Sequence, residues 1–245
     1  MNILLTGGTG FVGRAILRYI GKEIIGRHEN VGVTVITRNP NKFLDVYPDF
    51  GGLNWLDFVK GNVLIEDTLP IDNNYSHIIH AATEATKSKQ IEYLDQYLQI
   101  LDGTRNILNL AARGRVSRIL LVSSGAAYGK QPGNKKRLKE EYQGALDDEI
   151  PSNAYGLGKR DAENLCKLYS KAYGFEVVIA RCFAFLGPDL PMDAHYAIGN
   201  FIADAIYRES IIIKGNGTAL RTYLDQDDMA NWLFRLLIDL SLIHI

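Results

Sequence analysis

The sequence predicts an α/β fold in which a parallel sheet is covered on both faces by helices. Two observations carry that prediction. Short β-branched apolar runs alternate along the chain with segments of helical spacing, and a glycine-rich turn joins the first run to the first helix. In order, strands are expected at residues 2–6, 31–37, 56–60, 76–80, 116–123 and 175–180, and helices at 10–20, 90–113 and 153–173. The runs are short and mostly apolar, as suits strands covered on both sides. Residues 131–150 are polar and charged and are expected as a surface excursion. An amphipathic run from Met229 to Asp239 is expected to return to the sheet. No internal repeat or coiled-coil heptad interrupts the pattern.

Composition narrows the class of protein. The 245 residues are 47% hydrophobic and 22% charged, which suits one compact domain or one domain with a small lobe. A formal net charge of -1 gives no electrostatic reason to bind nucleic acid or an anionic membrane. The two cysteines, Cys166 and Cys182, show neither metal-ligand spacing nor a disulfide framework. With no secretory leader and no apolar stretch of membrane-spanning length, a soluble cytoplasmic protein is expected. The last six residues, 240–245, lack a helix stop and match one frame of a common sequencing-library adaptor. They are expected to be a non-native tail, with the native C-terminus missing.

The turn Thr6-Gly7-Gly8-Thr9-Gly10-Phe11-Val12-Gly13 follows the first strand and opens the first helix. Glycines at 7, 10 and 13 permit a tight turn, close approach of a pyrophosphate and close helix–sheet packing. The helix start at Phe11 and Val12 offers unpaired N–H groups and a positive dipole end to an anion. The strand–turn–helix setting makes this a dinucleotide site on a Rossmann-type, doubly wound sheet. At the end of the second strand, Ile36-Thr37-Arg38-Asn39 carries no acid for a ribose 2′-hydroxyl. Arg38 can fork onto a 2′-phosphate instead, which favours NADP over NAD. Asn62 is placed either to contact adenine or to hold a turn.

Tyr155-Gly-Leu-Gly-Lys159 places a phenol and an ammonium one helical turn apart on one face. A free phenol titrates near about pH 10, and a neighbouring cation is expected to lower that value. Such a tyrosine can protonate a carbonyl oxygen during reduction or deprotonate an alcohol during oxidation. Gly156 and Gly158 weaken helical propensity around the pair, so tertiary packing must hold that turn.

The glycine turn, Ser124 and the Tyr155/Lys159 pair, in that order, resemble the extended short-chain dehydrogenase/reductases. More narrowly, they resemble the NAD(P)-dependent nucleotide-sugar epimerase/dehydratase family, over residues 1 to about 239. In that family the catalytic hydroxyl lies four residues before the Tyr of a Val-Tyr-Gly-like segment. In Val122-Ser-Ser-Gly-Ala-Ala-Tyr128-Gly129 this implies Ser124, with Ser123 as the alternative. His80-Ala81-Ala82 resembles the segment passing beneath the cofactor, with His80 itself structural. Ile198-Gly-Asn200-Phe and Lys214-Gly-Asn-Gly-Thr-Ala-Leu-Arg221 resemble elements that hold a substrate diphosphate, so the resemblance implies that role for Asn200 and Arg221. A surface ion pair of Arg221 with Asp225 or Asp227 is the alternative. Ala184 stands where the family's Arg-x-Phe-Asn segment commonly has asparagine.

The resemblance implies residues 1–185 as the NAD(P)-binding domain and 186–239 as a partial substrate-binding region, with homodimerisation through the two long helices. Gly125-Ala126 replaces the Asp-Glu pair by which the family's dehydratases eliminate water. Neither cysteine falls where the family's epimerase-reductases need one. The best reading is reduction of a 4-keto-6-deoxyhexose attached to a nucleotide diphosphate. A 4-epimerase with tightly held NAD and a non-catalytic NADP-binding sensor or scaffold are the alternatives.

Overall fold

The computed structural model describes residues 1–26, 31–70, 74–83, 91–133, 137–144, 146–192, 196–208, 210–213, 215–218 and 220–239. The expected tail at 240–245 lies outside these, as do Lys214 and the first residue of the helix expected from 90. Six parallel strands form one sheet: β1 (Asn2–Thr6), β2 (Gly32–Thr37), β3 (Leu56–Lys60), β4 (His77–His80), β5 (Arg118–Ser124) and β6 (Glu176–Cys182). Their spatial order is β3-β2-β1-β4-β5-β6. The order reverses between β1 and β4, and a crevice opens beyond the C-terminal ends of strands at such a reversal.

Alternation of side chains along each strand splits the core in two. Ile3, Leu5, Val33, Val35, Ile79, Leu120 and Val178 face one side. Leu4, Ile36, Ile78, Ile119, Leu121 and Ile179 face the other. The first side is covered by α1 (Phe11–Tyr19) and α6 (Gln226–Asp239), the latter burying Met229, Leu233, Phe234 and Leu237 along one stripe. The second side is covered by α3 (Tyr93–Arg113) and α4 (Ala154–Tyr173), which bury Ile100, Ile107, Ala162 and Cys166. Between β2 and β3 runs α2 (Pro40–Val46), started by the Asn39 side chain accepting the Lys42 N–H.

Helices α2 and, further along, Ala197–Tyr207 add to the expected set, and other features depart from it. The first helix winds on as a π-helical segment over Ile20–Ile24. The sixth strand runs two residues beyond the expected end, to Cys182. Two short parallel strands, β7 (Ala184–Leu186) and β8 (Tyr223–Asp225), form a second sheet on either side of α5 (Ala197–Tyr207) in the chain. At three residues each, neither is long enough to show a period in sequence.

Candidate active site

The dinucleotide turn is built by backbone proximity. Gly7 has φ +72°, and a Cβ there would sit 2.6 Å from the Ala81 carbonyl carbon. A Cβ on Gly13 would lie 2.3 Å from the Gly7 oxygen, so α1 could not come as close to the turn with any larger residue. Phe11 and Val12 then occupy the first turn of α1, which contains no acidic side chain to oppose an anion. The Phe11 ring stacks on Phe185 of β7, leaving its backbone N–H as the group available to a phosphate.

A cleft of about 470 Å³ opens here and gathers Gly7, Gly10, Arg38, Asn62, Ala81 and Ala82. Arg38 is exposed at the end of β2, and no acid accompanies it among the residues lining the cleft. Asn62 also serves a turn: its Oδ1 accepts the Leu64 N–H at 3.1 Å. The glycine cradle, which any Cβ would fill, and the helix terminus fit an NAD(P)-type dinucleotide.

Below the cleft, His80 is part of a directional chain. Thr104 donates to the Ile100 carbonyl at 2.7 Å, so its oxygen accepts from His80 Nε2 at 3.3 Å. The Nδ1 atom then accepts the Thr6 hydroxyl at 2.7 Å, and Thr6 Oγ1 accepts the Ala82 N–H at 3.2 Å. Burial, followed by the Lys159 charge, lowers the His80 pKa to about 3, so the ring stays neutral and structural.

Ser124 ends β5 and caps the 3₁₀ turn Gly125–Tyr128 by accepting the Ala126 N–H. Its Oγ hydrogen-bonds the Tyr155 hydroxyl from across that turn. Ser123 points elsewhere, donating to buried Glu163 at 2.5 Å. Lys159, only 4% exposed, donates through Nζ to Thr83 Oγ1 at 2.8 Å and to the Val122 carbonyl at 3.0 Å. Its nitrogen lies 5.9 Å from the Tyr155 ring centroid. Burial lowers the Lys159 pKa to about 8, with Cys182, Glu163 and Cys166 acting in the opposite direction.

The electrostatics of Tyr155 correct the simple sequence expectation. Its phenol is raised, chiefly by burial, and the hydrogen bond from Ser124 is the main opposing effect. Spacing alone shows the neighbouring lysine but not the desolvation that outweighs it.

The substrate-side candidates are less tightly gathered. Asn200 lies in the first turn of α5, its N–H bonded to the Tyr196 carbonyl at 3.1 Å. Tyr196, at the start of that helix, is close enough to Tyr155 for its charge to raise the Tyr155 phenol, while burial raises its own. Arg221 is exposed two residues before β8 and donates to the Leu220 carbonyl at 2.9 Å. Among the described residues it forms no ion pair with Asp225 or Asp227.

Sequence reasoning missed three contributors. Thr83 holds Lys159. Glu163 and Arg181 pair at 2.6 Å behind Ser123, with the Arg181 guanidinium over the Tyr128 ring. Cys182, to which the sequence reading gave no role, ends β6 in register with Ser124 and influences both Tyr155 and Lys159. The two extra residues of β6 bring it there. Burial pushes its thiol up to about 12, so it is neutral at physiological pH. Extending the expected strand by those two residues would have found it; nothing in the sequence marks Thr83.

A strand-order reversal with a glycine cradle, and a serine–tyrosine–lysine group at its edge, define an NAD(P)-type Rossmann scaffold of the short-chain dehydrogenase kind. Residues 3–241 match the NAD dependent epimerase/dehydratase family, and the chain belongs to that family. It is 31% identical over 241 residues to UDP-glucuronic acid decarboxylase 1 of Xenopus tropicalis, an alignment covering 96% of this chain but 53% of that protein. The chain thus spans about half the length of such a relative. Its fold matches dTDP-glucose 4,6-dehydratase of Bacillus anthracis in complex with NAD, with a TM-score of 0.80 and 21% identity over 100% of this chain and 75% of that one. It also matches UDP-glucuronic acid 4-epimerase of Bacillus cereus in complex with UDP-glucuronic acid and NAD, with a TM-score of 0.78 and 21% identity over 100% and 76%. Among the described residues no helix is long and apolar enough to cross a membrane.

Proposed function

We propose that this chain carries the cofactor-binding and catalytic part of an oxidoreductase that reduces a 4-keto-6-deoxyhexose held on a nucleotide diphosphate. The observation that carries the reading is the joining of two sites at Thr83. This residue lines the dinucleotide cleft and also accepts from the Lys159 ammonium, beside the Ser124–Tyr155 hydrogen bond. When bound, the nicotinamide supplies the hydride. Gly7, Gly10, Gly13 and the N–H groups of Phe11 and Val12 hold the pyrophosphate, with Ala81 and Ala82 beneath. Lys159 holds the nicotinamide ribose. Tyr155 gives its proton to the carbonyl oxygen as charge develops there, and Ser124 fixes the same oxygen. Asn200 and Arg221 grip the diphosphate, so that binding energy from an unreactive handle orients the reacting carbon.

Reduction is favoured over elimination because Ser124 is followed by Gly125-Ala126 rather than an acidic pair. A Cβ at 125 would lie 2.5 Å from the Phe183 ring, so a carboxylate side chain could enter only by displacing that ring. Arg38, at the rim of a cleft whose described lining carries no acid, supports NADP. Exposed Leu94 and Leu98 of α3 and Leu168 of α4 support dimerisation through these helices, which light scattering on the purified protein tests.

The direct test is a panel of nucleotide-linked sugars with NADPH and NADH. Oxidation of NADPH that depends on a 4-keto-6-deoxy sugar supports the reading. Carbon dioxide release from UDP-glucuronic acid, or interconversion of 4-epimers by protein carrying NAD, would replace it. Cofactor binding without any turnover would identify a sensor.

A further inference from the structure

Thr83 follows β4 by three residues and stands between the cofactor cleft and the buried lysine. Its hydroxyl has one proton, and that proton is committed to the Ala82 carbonyl at 2.8 Å. Only lone pairs therefore remain to face Lys159, whose Nζ approaches at 2.8 Å. Ala82 is held through its N–H as well, which donates to Thr6 within the His80 chain. Thr83 is thus an acceptor whose direction is set by its neighbours and whose position is set by the end of the sheet. Together with the Val122 carbonyl it takes two of the three ammonium donors.

We propose that Thr83 is a positioning residue for Lys159: it fixes where the ammonium sits at the cofactor cleft and keeps it protonated there. The inference rests on the reading of Lys159 as the group that meets the cofactor ribose. Few other polar groups can do this work. From α4, Tyr155, Glu163 and Cys166 face the lysine; from β6, Cys182; from β4, His80. Glu163 is already committed to Arg181 and Ser123. Both thiols are neutral, because burial raises each to about 12. His80 is neutral too. Among the described residues, the hydroxyl of Thr83 and one backbone carbonyl are therefore the direct acceptors that offset removal of the ammonium from water.

The test uses NADPH fluorescence to follow cofactor affinity from about pH 6 to about pH 10 in the wild type, Thr83→Val, Thr83→Ala and Thr83→Ser. Wild-type affinity should fall as pH passes the Lys159 value of about 8. Without the hydroxyl the charged form loses an acceptor, so in the Val and Ala variants the fall should move about one pH unit or more towards acid. The Ser variant, which keeps the acceptor, should follow the wild type. Val and Ala profiles superimposable on the wild type would overturn the proposal. So would a Ser variant that behaves like Val, since the threonine would then matter only for packing. Absence of sugar turnover in the wild type would sink the proposed reaction without altering this binding measurement, so the two failures are distinguishable.

Discussion

Arg14 joins the dinucleotide turn to the segment that follows β7, by bonding two partners at once. Its Nη1 donates to the Thr9 carbonyl at 2.8 Å, and its Nε donates to Asp189 at 3.1 Å. Asp189, with a side chain only 7% exposed, also pairs with Arg18 and accepts from Gln226 of α6 at 3.1 Å. The cofactor turn, the first helix and the start of the proposed substrate region thus share one carboxylate.

Removing that carboxylate should be costly. Asp189→Ala leaves Arg14, 11% exposed, without its charge partner, and should lower unfolding stability by about 2–3 kcal/mol in urea titration. The pH dependence has a definite sign. Burial acts to raise the Asp189 pKa, but the Arg18 and Gln226 hydrogen bonds and the Arg14 charge outweigh it, so the net value is lowered. The stabilisation is therefore present above the unfolded carboxylate value and is lost as pH falls through the folded one. The stability gap between wild type and Asp189→Asn should be constant at neutral pH and shrink below about pH 4. A gap independent of pH down to the acid unfolding transition would contradict the assignment.

Tyr155→Phe should reduce turnover by roughly 100- to 10,000-fold while leaving NADPH affinity unchanged, because only the proton-donating group is removed. Ser124→Ala makes a separate prediction. The Ser124 hydrogen bond lowers a phenol that burial otherwise raises, so its loss should move the phenol higher. In the oxidative direction, where phenolate is the active form, the pH at which rate rises should shift to more alkaline values. Full turnover in Tyr155→Phe, or an unshifted profile in Ser124→Ala, would break the mechanism.

The parallel sheet was legible from the alternation of apolar runs and helical spacing, and the glycine cradle because backbone geometry dictates residue type there. Gly7 and Gly13 face clashes with backbone that only hydrogen can avoid, and such positions leave a mark in sequence. That Tyr155, Lys159 and Ser124 come together was legible from spacing and resemblance. Thr83, Glu163 and Cys182 were not. Each acts through a partner distant in the chain, Thr83 being 76 residues from Lys159, and a threonine after a strand has many ordinary uses. The Tyr155 environment escaped for a similar reason: burial is a property of the packed helix, and no local pattern reports it.

Gly156 gives a test in which propensity and packing predict opposite signs. In an exposed helix interior, Gly→Ala is stabilising by about 1 kcal/mol. In α4 a Cβ at 156 would lie 2.7 Å from the Ala126 carbonyl oxygen, a backbone atom in the 3₁₀ turn that Ser124 caps. Gly156→Ala should therefore lower the melting temperature and reduce turnover, by pushing that turn away from Tyr155. Gly158→Ala meets the Ile100 side chain at 3.2 Å instead and should be milder. A raised melting temperature in Gly156→Ala would show that the helix and the turn do not pack so closely.

The proposed NADP preference makes a prediction about Arg38. It is exposed at the end of β2 and lines the cleft with Thr37 and Asn62. A guanidinium fork on a 2′-phosphate is a charge-assisted contact of about 1.5–3 kcal/mol, equivalent to roughly 10- to 100-fold in affinity. Arg38→Ala should lose that factor for NADPH and leave NADH nearly unchanged, as measured by fluorescence titration of both. Because the contact is exposed, the NADPH preference of the wild type should also weaken as ionic strength rises. Equal losses for the two cofactors would mean that Arg38 supports the cleft without recognising the phosphate, and tighter wild-type binding of NADH would reverse the preference proposed here.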